Sequence, residues 1–590
     1  MLLRNPILQV AVVQLAGLLA SPSQGHMAVH AGQDGHCPTF GAVLPAPKSP
    51  GKHEAVAAAK AGVKAFLDRL TADFNSSSLS VAVKSIHEPG NLFEYHYTPP
   101  NLDARGVQRV DGNSVYRIAS VSKILPVMAL LLLDGVRLED PVTKYLPELN
   151  KLNEQPAEKD ELTTVDWDDI TLEALASHMA GISPEYDFDL VQFPSLNPET
   201  VGLPARSPEP LPGCSGFMGQ RPCTAKDFYD HFGKAPPVYA PFNSPVYSNV
   251  AFGIIGFVVE KISGKSFADF TKEKILDPLG MNNTYATKPD DSLGAIPPGD
   301  TWWNGTLGFL LPTGNYYSST TDLNVLLDGI LTNKLLSPAK TRRWLKPLVS
   351  TSSTGAMVGA PWEIYRADNA TADQRLIEVY TKSGGLTSYG SLVSLIPDYG
   401  LVMSILAAGR EAMDPITVVG GTLVKAMLTG LEAAGKDEAR PRFAGTYRDE
   451  ATNSTLVLEL NATDPTPGIS APVLISRGVD HLAVRLGIVL DGPAPDPATV
   501  PRARLRLYPA GLGNARREAW RGVIGGLTAE QEGAFNVLFP WPQTACQTWG
   551  LTGRPAWELQ ALDSFVFNLG ADGAATSVEL PAFKIKLNRV

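Results

Sequence analysis

Hydrophobic periodicity changes character near residue 440 of this 590-residue chain, and no single layer of secondary structure accommodates both halves. From Phe443 onward, apolar residues alternate with polar ones in short runs: TLVLEL, LAVRLGIVL, RARLRLY, EAWRGVI, AFNVLF, SFVFNL and VELPAFKIKL. Gly, Pro, Asn and Asp separate the runs, so residues 440–590 are expected to form a separate all-β unit, a barrel or a sandwich. Upstream, HEAVAAAKAGVKAFLDRLTADF has helical spacing, and SLSVAVKS with LFEYHYT reads as two paired strands. Helical patterns follow from Ser120, over ITLEALASHMAGI to a stop at Gly181, from Asn249 to Ser263, and over Thr320–Leu331. IEVYTKSGG, YGSLVSLIP and VMSILAAG then read as strands, which predicts an antiparallel sheet covered by helices, an α/β arrangement in the broad sense (α+β).

The first 25 residues place one cation, Arg4, before an apolar stretch from Ile7 to Ala20 and then small and polar residues, the layout of a secretory signal peptide, with an amphipathic N-terminal helix as the alternative because Gln9 and Gln14 dilute the run. No later segment approaches 18 uninterrupted apolar residues, so no membrane span is expected. An N-terminal extension occupies 26–54, the mixed helix and strand domain 55–435, and the all-β domain 440–590. Within the mixed domain, residues 183–246 are crowded with Pro, Gly and aromatic residues and form a long insertion, either a functional lid or a disordered or decorative excursion. Hydrophobic residues make up 44% of the chain, enough for large cores, and disulfides are therefore supplementary. Cys214 and Cys223 suggest a local bridge in a Pro/Gly-rich loop, and of the three pairings that four cysteines allow, Cys37 with Cys546 is then favoured. Sequons at Asn75, Asn282, Asn304, Asn369, Asn453 and Asn461 fit an extracellular glycoprotein.

A net charge of −10 with no Lys/Arg-rich run excludes a phosphate-neutralising surface, so nucleic acid is not an expected partner. No histidine set has metal-ligand spacing, and Gly264-Lys265-Ser266 lacks the glycine a phosphate loop requires, since Val259 stands there. No cofactor or metal is expected. A Gly-x-Ser-x-Gly elbow is absent as well.

Ser-x-x-Lys occurs at Ser49/Lys52, Ser120/Lys123 and Ser337/Lys340, and only Ser120 follows a strand-like run and opens a helical one. At that spacing on a helix the amine reaches the hydroxyl, and the helix N-terminus favours developing negative charge. The bland reading is an N-cap serine followed by a solvated lysine. Tyr247-Ser248-Asn249 is the single Tyr-x-Asn in the chain, and Lys382-Ser383-Gly384 the single Lys-Ser/Thr-Gly. In this order the three motifs resemble those of the penicillin-binding-protein-like serine hydrolases, nearest to class C β-lactamases, their D-peptidase relatives and related esterases. The resemblance covers residues 55–430. With the early cysteine and the C-terminal β-domain, the chain looks most similar to secreted fungal β-lactamase-like proteins, whose C-terminal additions are often lipocalin-like barrels.

The resemblance implies a Ser120 acyl-enzyme formed on an ester, amide or lactam. Serine is a poor nucleophile at neutral pH and needs a base. Lys123 serves if burial or nearby cations keep part of it neutral. Tyr247 serves if Lys123 and Lys382 hold its phenol near ionisation, and it then protonates the leaving group. The sequence leaves the two open. Asn249 orients the substrate or Lys123, Lys382 offers positive potential to a carboxylate or oxyanion, and Ser383 replaces the commoner threonine with its hydroxyl retained. By motif position the backbone N–H groups of Ser120 and Gly385 form the oxyanion hole, with Gly384 and Gly385 admitting substrate to the strand edge. Esterase or acyl-transfer chemistry on a small molecule is favoured over lactam hydrolysis, because nothing in the sequence shows how a deacylating water is activated. The alternatives are a non-catalytic binding protein that keeps the fold, with the β-domain carrying affinity, and a biosynthetic enzyme of acyl transfer or cyclisation. Oligomeric state is not legible.

Overall fold

The computed structural model describes residues 38–153, 160–185, 190–192, 196–207, 213–214, 220–461, 463–484, 502–525 and 548–590. The expected signal peptide, Cys37, Cys546, the run AFNVLF and most of LAVRLGIVL lie outside these residues.

The first helix, α1 (Glu54–Thr71), buries Val56, Val63 and Leu67 along one stripe. Two paired antiparallel strands follow, β1 (Ser78–Ser85) and β2 (Phe93–Tyr97). After helices α2 (Ile124–Leu132), α3 (Leu172–Ala176), α4 (Asn249–Ser263) and α5 (Thr320–Leu331) come β3 (Glu363–Ala367), β4 (Ile377–Leu386), β5 (Tyr389–Ile396) and β6 (Leu401–Ala408). These strands form one antiparallel sheet in the order β2-β1-β6-β5-β4-β3, extended at the β3 edge by the short strands Ala356–Val358 and Val349–Ser350.

β5 and β6 are buried at every position because helices cover both faces. Val393, Leu395, Val402 and Leu406 point into the core shared with α2, α4 and α5. Their neighbours Leu392, Ile396, Met403 and Ile405 point the other way, toward α1 and the long helix α6 (Ile416–Phe443). A Cβ on Gly430 of α6 would lie 3.1 Å from the Val56 Cα, so glycine is what lets α6 approach α1 so closely. By length and composition α6 is apolar enough to cross a membrane. Here its buried stripe of Val419, Leu423, Met427 and Leu431 covers the sheet instead.

The last turn of α6 carries Ala439 and Phe443 into a second core. Eight strands enclose it: β7 (Gly445–Asp449), β8 (Ser454–Glu459), β9 (Ile469–Ser476), β10 (Arg504–Asn514), β11 (Arg517–Gly525), β12 (Ser564–Leu569), β13 (Ala575–Leu580) and β14 (Ile585–Arg589). Each pairs antiparallel with the next, and β14 returns to β7, so the sheet closes into an up-and-down barrel. Closure settles the choice between barrel and sandwich. Leu456, Leu474, Leu507, Trp520, Phe565, Phe567 and Leu587 fill the interior around Phe443. Strand β9 had no counterpart in the sequence reading, because Pro472 and a register shift opposite Val457/Glu459 interrupt its alternation.

Two helix expectations are corrected. The helix over ITLEALASHMAGI ends at Ala176 rather than at Gly181, since His178 adopts a left-handed φ of 62° and backbone groups of 178–181 pair with residues 238–246. The helical run from Ser120 begins as a 3₁₀ turn, Ala119–Lys123, and becomes α-helical at Ile124.

Phe567 is fully buried and sits 5.2 Å from the Phe443 ring centroid and 5.6 Å from that of Trp520. Phe567→Ala is expected to destabilise the barrel by about 3–5 kcal/mol, measured by denaturant titration followed through circular dichroism.

Candidate active site

The Ala119–Lys123 turn holds the candidate nucleophile at the junction of sheet and helical layer. Ala119 has φ 44°, a left-handed conformation uncommon for a residue with a side chain, and such strain concentrates at functional turns. Cross-strand contacts keep the turn in place. The Ile118 carbonyl accepts from Ser391 Oγ of β5 at 2.7 Å, and the Ile118 N–H donates to the Tyr316 carbonyl at 3.0 Å. The opening N–H groups of a helical turn lack partners within the turn, which leaves them available to a bound oxyanion.

One turn along, Lys123 is fully buried. Its Nζ donates to Ser120 Oγ at 3.0 Å, to Asn249 Oδ1 at 2.5 Å and to the Thr313 carbonyl at 3.0 Å. All three acceptors are neutral. Burial, and then the positive charge of Lys382, push the Lys123 amine well below its ordinary value, against weaker opposing effects from Glu185 and Glu363.

Why Tyr-x-Asn carries this spacing follows from the start of α4. Ser248 is its N-cap, its Oγ accepting from Ala251 N–H at 3.1 Å, so Asn249 opens the helix and Tyr247 precedes the cap. Asn249 thereby reaches Lys123 with its carbonyl oxygen and Glu185 with its amide nitrogen. The Tyr247 ring stacks on His178 with centroids 4.4 Å apart, while Lys123 Nζ and Lys382 Nζ lie 4.9 and 5.3 Å from its centre.

Both amines face the ring, and the phenol is raised rather than held near ionisation, in contrast to the sequence expectation. Desolvation raises the phenol well above its ordinary value; a hydrogen bond with Ser120 opposes this, and the Glu363 and Glu185 charges add to it. The residue is 42% exposed at the cleft mouth, so the direction rather than the size of that shift carries the argument.

Strand β4 supplies the third motif. Gly384 pairs with Ser391 across β4 and β5, and a Cβ placed on it would lie 2.8 Å from Ser120 N and 2.5 Å from the Ile118 carbonyl. Only glycine lets this strand close on the nucleophile turn. A Cβ on Gly385 would meet nothing within 4 Å, so the strand edge beyond is open. Lys382 lies inside, 1% exposed at its side chain, paired with Glu363 and donating to the Ser383 carbonyl at 2.8 Å. Burial pushes its amine down and Glu363 holds it up. Lys382 thus meets a carboxylate from its own chain, where the sequence reading left it free for one on the substrate.

The chain therefore brings together Ser120, Lys123, Tyr247, Asn249, Lys382 and Gly384. Sequence reasoning missed Glu185, Glu363, the Thr313 carbonyl and the positioning role of His178. His178 Nδ1 accepts from Ser248 N–H at 3.0 Å, which puts the ring proton on Nε2, and burial followed by Lys123 and Lys382 keeps the ring neutral. It fixes both the cap and the catalytic-side ring through one imidazole. Glu363 had no sequence signal, because only the register of β3 against β4, which sets Glu363 opposite Thr381, puts it beside Lys382. Cys214 and Cys223 are bonded with Cα atoms 4.9 Å apart. All six sequon asparagines are exposed.

Comparison with known proteins matches this layout. A family model described as beta-lactamase covers residues 68–417, and one described as "Beta-lactamase-like-like, C-terminal domain" covers 435–590. A "Beta-lactamase-like protein" from Arthroderma benhamiae is 31% identical over 502 residues, 81% of each chain. A "Probable hydrolase" from Phoma sp. is 28% identical over 429 residues, 70% of this chain and 68% of the relative. Among solved structures, a class C beta-lactamase from Rhodobacter sphaeroides is 19% identical and aligns over 64% of this chain and 99% of its own with a TM-score of 0.44. With its family model spanning more than half the length, and with the sheet, helices and closed barrel in place, the chain belongs to the beta-lactamase family of hydrolases and joins that domain to a C-terminal barrel.

Proposed function

We propose that this protein is a secreted serine hydrolase or acyltransferase that works through a Ser120 acyl-enzyme on a small ester, amide or lactam. The observation that carries the reading is the 3.0 Å contact between Ser120 Oγ and a fully buried Lys123 whose other two partners are neutral oxygens. Hydrogen bonds to neutral acceptors do not compensate a buried charge, so the neutral amine is populated; its two hydrogens stay on Asn249 Oδ1 and the Thr313 carbonyl, and its lone pair faces Ser120 Oγ and takes the proton as the hydroxyl attacks the carbonyl. The tetrahedral oxyanion is held by the Ser120 and Gly385 N–H groups. Tyr247 keeps its proton, which makes Lys123 the base and the phenol the donor to the leaving group. Water or an acceptor nucleophile then releases the acyl group from Ser120.

The exposure of every sequon and the Cys214–Cys223 bond support the secreted assignment, in which the N-terminal 25 residues direct export and the six asparagines carry glycans.

Ser120→Ala is expected to abolish the covalent adduct with a fluorophosphonate or an activated ester in intact-mass measurement. Labelling of that variant at the native rate overturns the reading. The acylation rate rises with pH as Lys123 deprotonates, in a range below the ordinary 10.5 of an amine, and it declines only where the Tyr247 phenol ionises, above the ordinary 10. Lys123→Arg removes the acidic limb and costs about 10²–10⁴ in rate, seen in stopped-flow acylation.

Gly384→Ala forces a methyl against Ser120 N and the Ile118 carbonyl and is expected to slow acylation about 10²-fold, whereas Gly385→Ala stays near native. Circular dichroism verifies that both variants are folded.

A further inference from the structure

The end of the site marked by the Lys-Ser-Gly strand presents a carboxylate rather than a free cation. The Lys382 side chain is 1% exposed and that of Glu363 is 27% exposed, so an arriving ligand meets the acid of this ion pair first. Glu363 is anchored at both oxygens, one on Lys382 Nζ and the other accepting from Ser383 N–H at 2.9 Å. The ammonium also donates to the Ser383 carbonyl, so two of its three hydrogens are already committed. A second carboxylate, Glu185, stands behind Asn249 on the other side of Lys123. Both acids act on the Tyr247 phenol, which places them within electrostatic reach of the group that meets the leaving atom.

The segment that leads to Tyr247 carries exposed apolar side chains. Val238 and Tyr239 donate their N–H groups to the Gly181 carbonyl, Phe242 to Met179 and Val246 to His178, so residues 238–246 run along the strip that ends at the stacked Tyr247 ring. The side chains of Val238, Tyr239 and Phe242 on this segment are exposed. Rims of this kind take up apolar substrate groups.

We infer that Glu363 is a specificity-determining residue that occupies Lys382 and restricts the site to esters or amides whose leaving group is uncharged and apolar, excluding those with a carboxylate there. This rests on the Ser120 acyl-enzyme reading. Lys382 lies over the Tyr247 ring, on the leaving-group side of the reaction, so a carboxylate on the leaving group approaches Glu363, and the like charges repel. Discrimination comes from this repulsion as well as from the absence of a free ammonium partner.

The test uses the full-length protein and a matched pair of phenyl esters with the same acyl group, one bearing a 3-carboxylate on the phenol and the other the methyl ester of that acid. The native enzyme is expected to release the uncharged phenol with the higher kcat/KM. Glu363→Gln keeps an acceptor for Lys382 but removes the charge, and it is expected to move the ratio toward the carboxylate ester by roughly tenfold or more, the size of effect a neighbouring charge has on an ionic group. An unchanged ratio in a folded Glu363→Gln protein overturns the inference. A native preference for the carboxylate ester, or equal use of the two, overturns it without any variant. If neither ester reacts faster with the native enzyme than with Ser120→Ala, the acyl-enzyme reading fails instead.

Discussion

The site is organised by a buried amine without a buried counter-charge. Lys123 carries a full complement of hydrogen-bond partners, but each is a neutral oxygen, and the charge of Lys382 acts against its protonation more than Glu185 or Glu363 singly favours it. A charge in that position costs several kcal/mol relative to water, and the least costly response is loss of the proton. The neighbouring features keep that balance. Asn249 holds Glu185 one residue away from the amine, and Glu363 is held by Lys382 rather than by Lys123. A carboxylate in direct contact with Lys123 would keep it charged and unreactive.

Holding one hydroxyl against that amine requires three distant chain segments to meet, and each has a specific device. The Ser391–Ile118 hydrogen bond fastens the nucleophile turn to the central sheet. The missing Cβ of Gly384 lets β4 come within contact of Ser120 N. His178 grips both the Ser248 N–H and the Tyr247 ring. These are packing and backbone constraints, which explains why one turn around the nucleophile carries Ala119 and its neighbours in strained or irregular conformations.

The barrel is bound to the catalytic layer by continuity of structure. α6 covers the outer face of the sheet with one part of its length and seals the barrel with Phe443 at its end, so both cores share one rigid element. Among the described residues the barrel interior is occupied by aromatic and aliphatic side chains around Phe443.

Much of this was legible from local pattern. The helices over Asn249–Ser263 and Thr320–Leu331, the three strands β4 to β6 and the all-β character after Phe443 followed from periodicity, because side-chain alternation and helix caps are local properties. Ser120, Lys123, Tyr247, Asn249, Lys382 and Gly384 were named from motifs that encode short-range geometry: a turn, a cap and a strand edge. What only the tertiary structure decided is their electrostatic state. Whether the phenol or the amine carries the proton depends on how deeply each is buried and on which acids face it, and Glu185 and Glu363 reach the site through a loop contact and a strand register that no linear spacing records. Periodicity reports which way a side chain points along its own element; the charge it meets there belongs to another part of the chain.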